Sequence, residues 1–495
     1  MALERARSEE ETLDPQDWSS LRALGHRMLD DMMAYLETVE ERPVWQPIPD
    51  QIKARLRQPL PQKPQALEKI YEDFLELVLP YPMGNIHPRF WGWAIGTGTP
   101  SGMLAEMLSS ALNSVPGGGE QVPNDVELQV LDWCKEILGF PLEASGLLVS
   151  GCSMANLVGL TVARNTMAGW DVREEGLQSS IHRMSFYCST ETHSSVQKAV
   201  ELLGLGAHYL HQIPVDEDFQ IDLAALQQSI AEDRAAGLRP TCIVGNAGTI
   251  NTGAFDDLNS LADICSREGM WFHVDGAFGA WAALSPKLRH LVTGMGRAHS
   301  LACDMHKWMY MPYEIACVLV RSADDHRRSF SLMPDYLEHH TRGLAGGRVW
   351  FTDYGIQLSR SFRALKAWMS LQEHGVEKYG RLIQQNVDQA RYLADLVESS
   401  PDLELLAPVP LNTVCFRFRA KQLDEVSLNR LNEELMIRLQ EQGKVLVTYT
   451  TLNGMYALRA GITNHRSLRE DFDLLIQEVT RVGHELLAEG FDRTR

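Results

Sequence analysis

Six short apolar runs recur between residues 146 and 321: GLLVS, SFYCS, TCIVGN, WFHVD, SLACD and IACVLVR. Their hydrophobicity is continuous rather than alternating, which is how strands buried on both faces read, and segments of helical length lie between most of them. The pattern predicts a largely parallel sheet covered by helices. Upstream, Asp14-Pro15 predicts a helix start, and Leu21, Leu24, Met28, Leu29, Met32, Met33 and Leu36 share one apolar face. Pro43, Pro47, Pro49, Pro61 and Pro64 then punctuate an arm too stiff and irregular for a core element. Helix and arm together predict a segment that clasps another surface, such as a second subunit. From about residue 390, NTVCFRF, KVLVTY and MYALRAG alternate with two helical stretches, the pattern of a smaller α+β domain. The expected division is 1–95 for the N-terminal helical segment, 96–385 for the large domain and 386–495 for the small one.

Composition narrows the function. A chain of 495 residues, 44% apolar, can bury a large core, and its net charge of −19 disfavours attraction to nucleic acid or to an anionic membrane. The first residues, MALERARSEEETLDPQDW, hold no apolar stretch like that of a signal peptide, and no later run approaches 18 uncharged apolar residues. A cytoplasmic enzyme is expected. The eight cysteines are scattered singly, without the paired spacing of a zinc site or a disulfide scaffold, and are expected to be reduced core thiols with no metal bound.

In parallel sheets of this kind ligands gather at the carboxyl ends of the strands. The polar residues that follow the apolar runs therefore matter: Ser150, Gly151, Ser153, His193, Thr249, Asp275, Asp304, His306 and Lys307. Lys307 stands among Met305, Trp308 and Met309 in LACDMHKWMYMPYE. Desolvation there would lower its pKa and free the amine to attack a carbonyl. Gly151-Cys152-Ser153 lies between a strand and an apolar helix, where backbone N–H groups and a hydroxyl can receive an anion. Asp275 at the end of WFHVD needs a cation or donors to offset its burial. An anion cradle, a carboxylate able to pair with a protonated ring nitrogen, and a nucleophilic lysine are the three handles that pyridoxal phosphate offers. His193 can stack its ring on that of the cofactor.

HPRFWGW, THSSVQKA, HVDGAFGA, MHKWM and SFRALKAW, spread over nearly the whole chain, resemble the group II pyridoxal-phosphate decarboxylases, which include the aromatic-L-amino-acid and glutamate decarboxylases. The resemblance implies the aspartate-aminotransferase-like type I fold: a mainly parallel seven-stranded sheet in the large domain, a small C-terminal α+β domain and an N-terminal helical arm. It further implies a homodimer with active sites at the subunit interface. Lys307 would be joined covalently to the cofactor, Asp275 would hold the pyridinium proton, and His193 and Ala277 would cover the two ring faces. Gly151, Cys152 and Ser153 would hold the phosphate with help from Asp304, Thr249 would lie near the ring's substituents, and His306 would belong to the same cofactor site. Tyr336, in LMPDYLEHHTRG, matches the family's mobile catalytic loop and would be the proton donor.

The implied reaction is decarboxylation of an L-amino acid to its amine, an aromatic substrate being the first expectation and an aliphatic or acidic one the alternative. An oxidative aldehyde synthase uses the same scaffold, but relatives of that kind commonly replace the loop tyrosine or the stacking histidine. A carbon–carbon lyase of the sphingosine-phosphate type would be expected to lack the His-Lys-Trp triplet. A dinucleotide enzyme is disfavoured because GTGTPSG, the nearest glycine run, lacks the required spacing. Trp91 and Trp93 are expected in the substrate pocket, with Gln357 helping to set substrate choice. SVPGGGEQVP, where aromatic-specific relatives carry more bulk, predicts a wider or more polar pocket.

Overall fold

All six apolar runs become strands, and a seventh joins them. In this computed structural model, which describes residues 11–178, 183–332 and 340–490, the large sheet comprises β1 (Ser145–Val149), β2 (Met184–Ser189), β3 (Leu210–Ile213), β4 (Arg239–Asn246), β5 (Trp271–Asp275), β6 (Ser300–Asp304) and β7 (Ala316–Val320). Their order is β1-β7-β6-β5-β4-β2-β3. β7 runs antiparallel between β1 and β6, and the other six strands share one direction. Their carboxyl ends therefore line one edge. The strand missing from the sequence reading, β3, is a short edge strand whose two middle residues, His211 and Gln212, are polar and partly exposed, so it shows no continuous apolar run. The helix Cys152–Met167 packs across β4 to β7, and Leu258–Glu268 packs on β4 and β5.

The smaller sheet has four antiparallel strands, ordered β10-β11-β9-β8: β8 (Leu403–Leu405), β9 (Thr413–Phe418), β10 (Thr448–Leu452) and β11 (Met455–Gly461). The strand expected over KVLVTY is shifted: only Thr448 and Tyr449 of that run lie in β10. The peptide of Leu446 instead bridges to Arg89 and Trp91, so the apolar run is divided between two pairings. Asn453 and Gly454, both at positive φ, turn the chain from β10 to β11. An Asn-Gly pair suits a two-residue hairpin because both residues tolerate that conformation. The helix Ala364–Ser399 runs through residue 385 with one non-helical residue, Gly375.

The chain separates into two compact units, Met1–Gly84 and Asn85–Arg495, and both sheets lie in the second. In the first unit the predicted helix spans Trp18–Glu37 and is capped by Asp17 rather than Asp14, the Asp17 carboxylate accepting from the N–H groups of Ser19 and Ser20. A helix, Asp50–Arg55, lies inside the expected irregular arm, starting directly after Pro49. Proline obstructs a helix only where an intrahelical N–H is needed, so it does not oppose a start there. A further helix, Leu67–Leu77, follows the last of the prolines.

The free edge of β1 is closed by a buried ion pair. Glu127 accepts from the Leu148 N–H at 3.0 Å, and Arg360 donates to the Leu148 carbonyl at 2.7 Å, to the Pro116 carbonyl at 2.6 Å and to Glu127 itself. Both side chains are sealed from solvent. Removing one partner leaves an uncompensated buried charge, which costs about 3–5 kcal/mol. Glu127→Ala is therefore expected to lower unfolding stability by that amount; equilibrium urea denaturation measures it, and a change below about 0.5 kcal/mol would show that the pair is dispensable.

Candidate active site

Two aspartates end adjacent parallel strands. Asp275 closes β5 and Asp304 closes β6, and both are buried. Asp275 Oδ1 accepts from the Ala277 N–H at 3.1 Å and Oδ2 from the Asn156 amide at 2.9 Å. Asp304 Oδ1 accepts from the Cys152 N–H at 2.7 Å, at the first turn of the helix Cys152–Met167. Its other oxygen lies 3.0 Å from Lys307 Nζ, and Oδ1 is 3.5 Å from His306 Nε2. The peptide of Ala277 links the two acids, since its carbonyl accepts from the Asp304 N–H at 2.9 Å. Asp275, Ala277, Asp304, His306, Lys307, Gly151 and Cys152 are thus gathered at one edge of the sheet.

Lys307 departs from expectation in one respect. Met305, Trp308 and Met309 are fully buried around it and a fifth of its own side chain remains exposed. Burial pushes the ammonium's pKa down, but the Asp304 carboxylate, reinforced by Cys152 and Asp275, outweighs burial, and the net direction is up. The amine is held as a cation rather than freed by desolvation. Asp304 accordingly acts as the lysine's counter-ion and as a cap on the helix start. A carboxylate would repel a phosphate, so a direct phosphate contact from Asp304 does not fit the geometry.

The anion cradle is narrower than the sequence implied. The Cys152 N–H is taken by Asp304, and the N–H groups of Met154 and Ala155 turn back to the Gly151 carbonyl. Ser153 is exposed at the helix start, where the helix dipole favours an anion. His193 caps the helix Ser194–Leu202 and is exposed, with Nδ1 accepting from the Ser195 N–H at 3.2 Å and bonded to the Ser195 hydroxyl at 2.8 Å. Burial of part of the ring lowers its pKa, so it is neutral. Thr249 is buried with its hydroxyl engaged by Thr252 and by the Ala254 N–H, which closes its own turn.

The substrate-pocket expectations separate. Trp91 is sealed in the core of the smaller sheet, its ring 4.8 Å from that of Phe472 and its N–H bonded to Ser467, so it lines no open pocket. Trp93 is half exposed at φ 50°, held there by the Thr448 hydroxyl on its N–H and by Arg459 on its carbonyl. Such a φ is strained for a bulky residue. Gln357 gives its amide oxygen to Arg363 at 3.1 Å, and Arg363 also reaches Glu314. The glycines at 117–119 do not widen a pocket as expected: the indole of Trp350 lies 2.2 Å from where a Gly118 side chain would begin. Tyr336 lies outside the described residues.

Sequence reasoning missed several participants. A methyl group on Gly96 would fall 1.9 Å from the His306 carbonyl and 2.5 Å from that of Lys307, so this strand-like segment abuts the lysine turn only because it carries glycine. Tyr313 lays its ring 4.2 Å from that of His306, and its hydroxyl accepts from the Gly96 N–H. Trp281 donates to the Asp304 carbonyl at 2.7 Å. Asn156 and Ser195 stand behind Asp275 and His193. A signal for Asn156 was available: it is the one amide within the apolar stretch MANLVGL.

A lysine at the carboxyl edge of a mainly parallel sheet, a helix start able to receive an anion, a buried carboxylate and an exposed histidine fit the aldehyde, phosphate, ring nitrogen and ring face of pyridoxal phosphate. Fold and site thus define a pyridoxal-phosphate enzyme. Residues 49–419 match the family described as pyridoxal-dependent decarboxylase conserved domain. An aromatic-L-amino-acid decarboxylase from Bacillus atrophaeus is 32% identical, the match spanning 94% of this chain and 96% of that protein. A phenylacetaldehyde synthase from Arabidopsis thaliana is 29% identical over 96% of this chain and 98% of its own length. A crystal structure of Oryza sativa TDC with PLP and tryptamine superposes with a TM-score of 0.89 at 27% identity, covering 96% of this chain and all of that one. The chain belongs to the pyridoxal-dependent decarboxylase family.

The Asp304–Lys307 pair makes a pH-dependent prediction. Asp304→Asn keeps an acceptor for the Cys152 N–H but removes the counter-ion, so the Lys307 pKa falls and more free amine is present at neutral pH. An opposite charge at this distance is worth about 1–3 pKa units. The pH midpoint for recombination of the apoprotein with pyridoxal phosphate, followed by visible absorbance, is expected to move down by about one unit or more; an unmoved midpoint would show that Asp304 does not hold the lysine's charge.

Proposed function

We propose that this chain decarboxylates an aromatic L-amino acid to its amine and CO2. The observation that carries the reading is the paired-acid edge: Asp275 and Asp304, each satisfied by a separate helix start or peptide, with Lys307 held between apolar neighbours. Bound pyridoxal phosphate supplies the electron sink that lets the α-carboxylate leave as CO2. Lys307 would hold the cofactor through its amine, at the place that the substrate amine must also reach. Asp275, locked by two donors, is oriented to keep a proton on the ring nitrogen. His193 would cover one face of the ring, and Tyr336 would be the proton donor to the α-carbon.

Aromatic surfaces support an aromatic substrate. The exposed ring of Trp93 lies three residues before Gly96, which abuts Lys307, and the half-exposed ring of Tyr313 lies against His306. The relatives named aromatic-L-amino-acid decarboxylase and the tryptamine-bound TDC agree with this choice. The aldehyde-synthase reading draws on the Arabidopsis relative, but the retention of both His193 and Tyr336 favours amine formation.

The working unit we propose is a homodimer. Met107, Leu108, Leu112, Val115, Ile356 and Leu358 are exposed on neighbouring segments, which the Ser109 hydroxyl and the Gly117 carbonyl tie together through Phe362 and Thr352. Exposed apolar side chains on adjoining segments support an interface there. The Trp18–Glu37 helix likewise buries only Leu24 fully, leaving apolar positions for a clasped partner. No helix among the described residues is long and apolar enough to cross a membrane. All eight cysteines are free and buried, in keeping with a cytoplasmic setting.

CO2 release measured across the twenty amino acids tests the substrate class; release from aliphatic or acidic substrates alone would overturn it. Lys307→Ala is expected to lose turnover by about three orders of magnitude or more while staying folded. Borohydride trapping reads the same point, since near-native activity with cofactor still trapped on the variant would exclude Lys307. Tyr336→Phe is expected to lower amine yield in air and to release aldehyde and ammonia instead. Product analysis with and without oxygen decides this, and an unchanged amine yield would remove Tyr336 as the proton donor.

A further inference from the structure

Behind the site runs a chain of buried hydrogen bonds whose direction is fixed at two separate points. The Trp271 indole, which can only donate, reaches the Ser300 hydroxyl at 2.8 Å. Ser300 accepts there and has its own proton free for His273 Nδ1, 2.7 Å away, while His273 Nε2 meets Asn156 Oδ1 at 2.9 Å. The Asn156 amide nitrogen faces Asp275 Oδ2 at 2.9 Å and the Ser195 hydroxyl at 3.0 Å. Asp275, as a carboxylate, can only accept, which fixes the amide orientation, makes His273 Nε2 the donor to Asn156 Oδ1 and leaves Nδ1 of the neutral ring to accept from Ser300. At the other branch the Ser195 backbone N–H donates to His193 Nδ1, so Ser195 must donate there through its hydroxyl and accept from Asn156. The carboxylate and the backbone N–H thus require one and the same arrangement, and the indole's donation to Ser300 accommodates it.

The packing is shaped around this chain. A methyl group on Gly159, one helical turn beyond Asn156, would lie 2.7 Å from His273 Cε1 and 3.2 Å from the Ser300 hydroxyl. Trp271, His273, Ser300, Asn156 and Ser195 are all buried, and burial pushes the His273 pKa down to about 3, so it remains a neutral relay member.

We propose that Asn156 is a positioning residue that, through its two amide protons, holds Asp275 as an ionised acceptor toward the cofactor's ring nitrogen and holds His193 with its proton on Nε2. Trp271, Ser300 and His273 exist in this scheme to keep the amide from turning over. The inference rests on the reading that Asp275 and His193 face pyridoxal phosphate, and it goes beyond that reading by assigning what sets their state.

The test compares four variants for pyridoxal phosphate dissociation constant, visible circular dichroism of the bound cofactor and the pH dependence of both. Asp275→Ala tests the underlying reading: unchanged affinity and spectrum there would sink the cofactor assignment itself. Asn156→Leu, similar in size and without donors, is expected to weaken binding by about tenfold to a hundredfold, as loss of a buried bond to a charged group does. Ser195→Ala cuts only the His193 branch and is expected to alter the cofactor's dichroism with less than about threefold change in affinity.

Asn156→Asp supplies the readout that a merely structural role would not move. The charged and titratable groups around Asp275 are Lys307, Asp304, Cys152 and His193, with His273 behind Asn156. Below the new carboxyl's pKa its proton can serve Asp275, and above it two carboxylates repel. Cofactor affinity of this variant is therefore expected to rise relative to the native protein as pH falls, while that of Asn156→Leu keeps the native pH dependence. If Asp275→Ala loses the cofactor but both Asn156 variants bind it with native affinity and native pH dependence, the proposal is wrong.

Discussion

Two carboxylates brought side by side in the interior are the constraint on which the rest depends. Parallel strands β5 and β6 end in Asp275 and Asp304, and their alignment in the sheet forces the two acids to the same edge. Like charges so placed are costly unless each meets its own donors or cations. Asp304 takes the first N–H of the helix Cys152–Met167 and the Lys307 ammonium; Asp275 takes the Ala277 N–H and the Asn156 amide. The same helix therefore serves both acids, from its first residue and from one turn further along.

From that arrangement the division of labour follows. One acid is tied to a cation and a helix start, the other to neutral donors only. Asp275 is therefore the one left able to pair with a cationic ring nitrogen, while Asp304 is already matched. The surrounding residues keep this distinction by excluding water: the methionines and Trp308 beside Lys307 are sealed, and the Trp308 and Tyr310 polar groups are both satisfied by Asn386 on the long helix. Among the described residues the polar groups left exposed there include Ser153 and His193, with Lys307 partly so.

Much of this was legible in the chain. Continuous apolar runs marked six of the seven large-sheet strands because burial on both faces leaves no alternation, and the polar residue after each run marked the ligand edge. β3 escaped because an edge strand needs no such run. The cap at Asp17 was displaced from Asp14 because local patterns fix a helix end only to within a turn. At the site, residue types foretold Lys307, Asp275 and His193 as neighbours of one edge, but not the sign of the Lys307 shift. That sign depends on a distance to Asp304 which three-residue spacing alone does not set. Trp91 and Trp93 differ by two positions, but the chain turns between them, Trp93 standing at φ 50°, so one is core and the other exposed. Asn156 was hidden because a polar residue on a helix reads as surface until its partners are known. The glycines at 117–119 looked like open space, whereas Trp350 occupies it from a segment more than two hundred residues away.

The antiparallel insertion of β7 has a consequence for the order of assembly. β1 pairs only with β7, so the strand that leads into the anion cradle must wait for a partner 175 residues further along the chain. Contacts of such long sequence separation form late, because the loop must be closed before they stabilise anything. By then β5 and β6, whose pairing spans far fewer residues, can already have set Asp275 and Asp304 at one edge and brought Lys307 into place. The strand that leads to the helix start at Cys152 is thus made early but joins the sheet only after residues 316–320 have been made, so the site cannot be completed on a chain shorter than that.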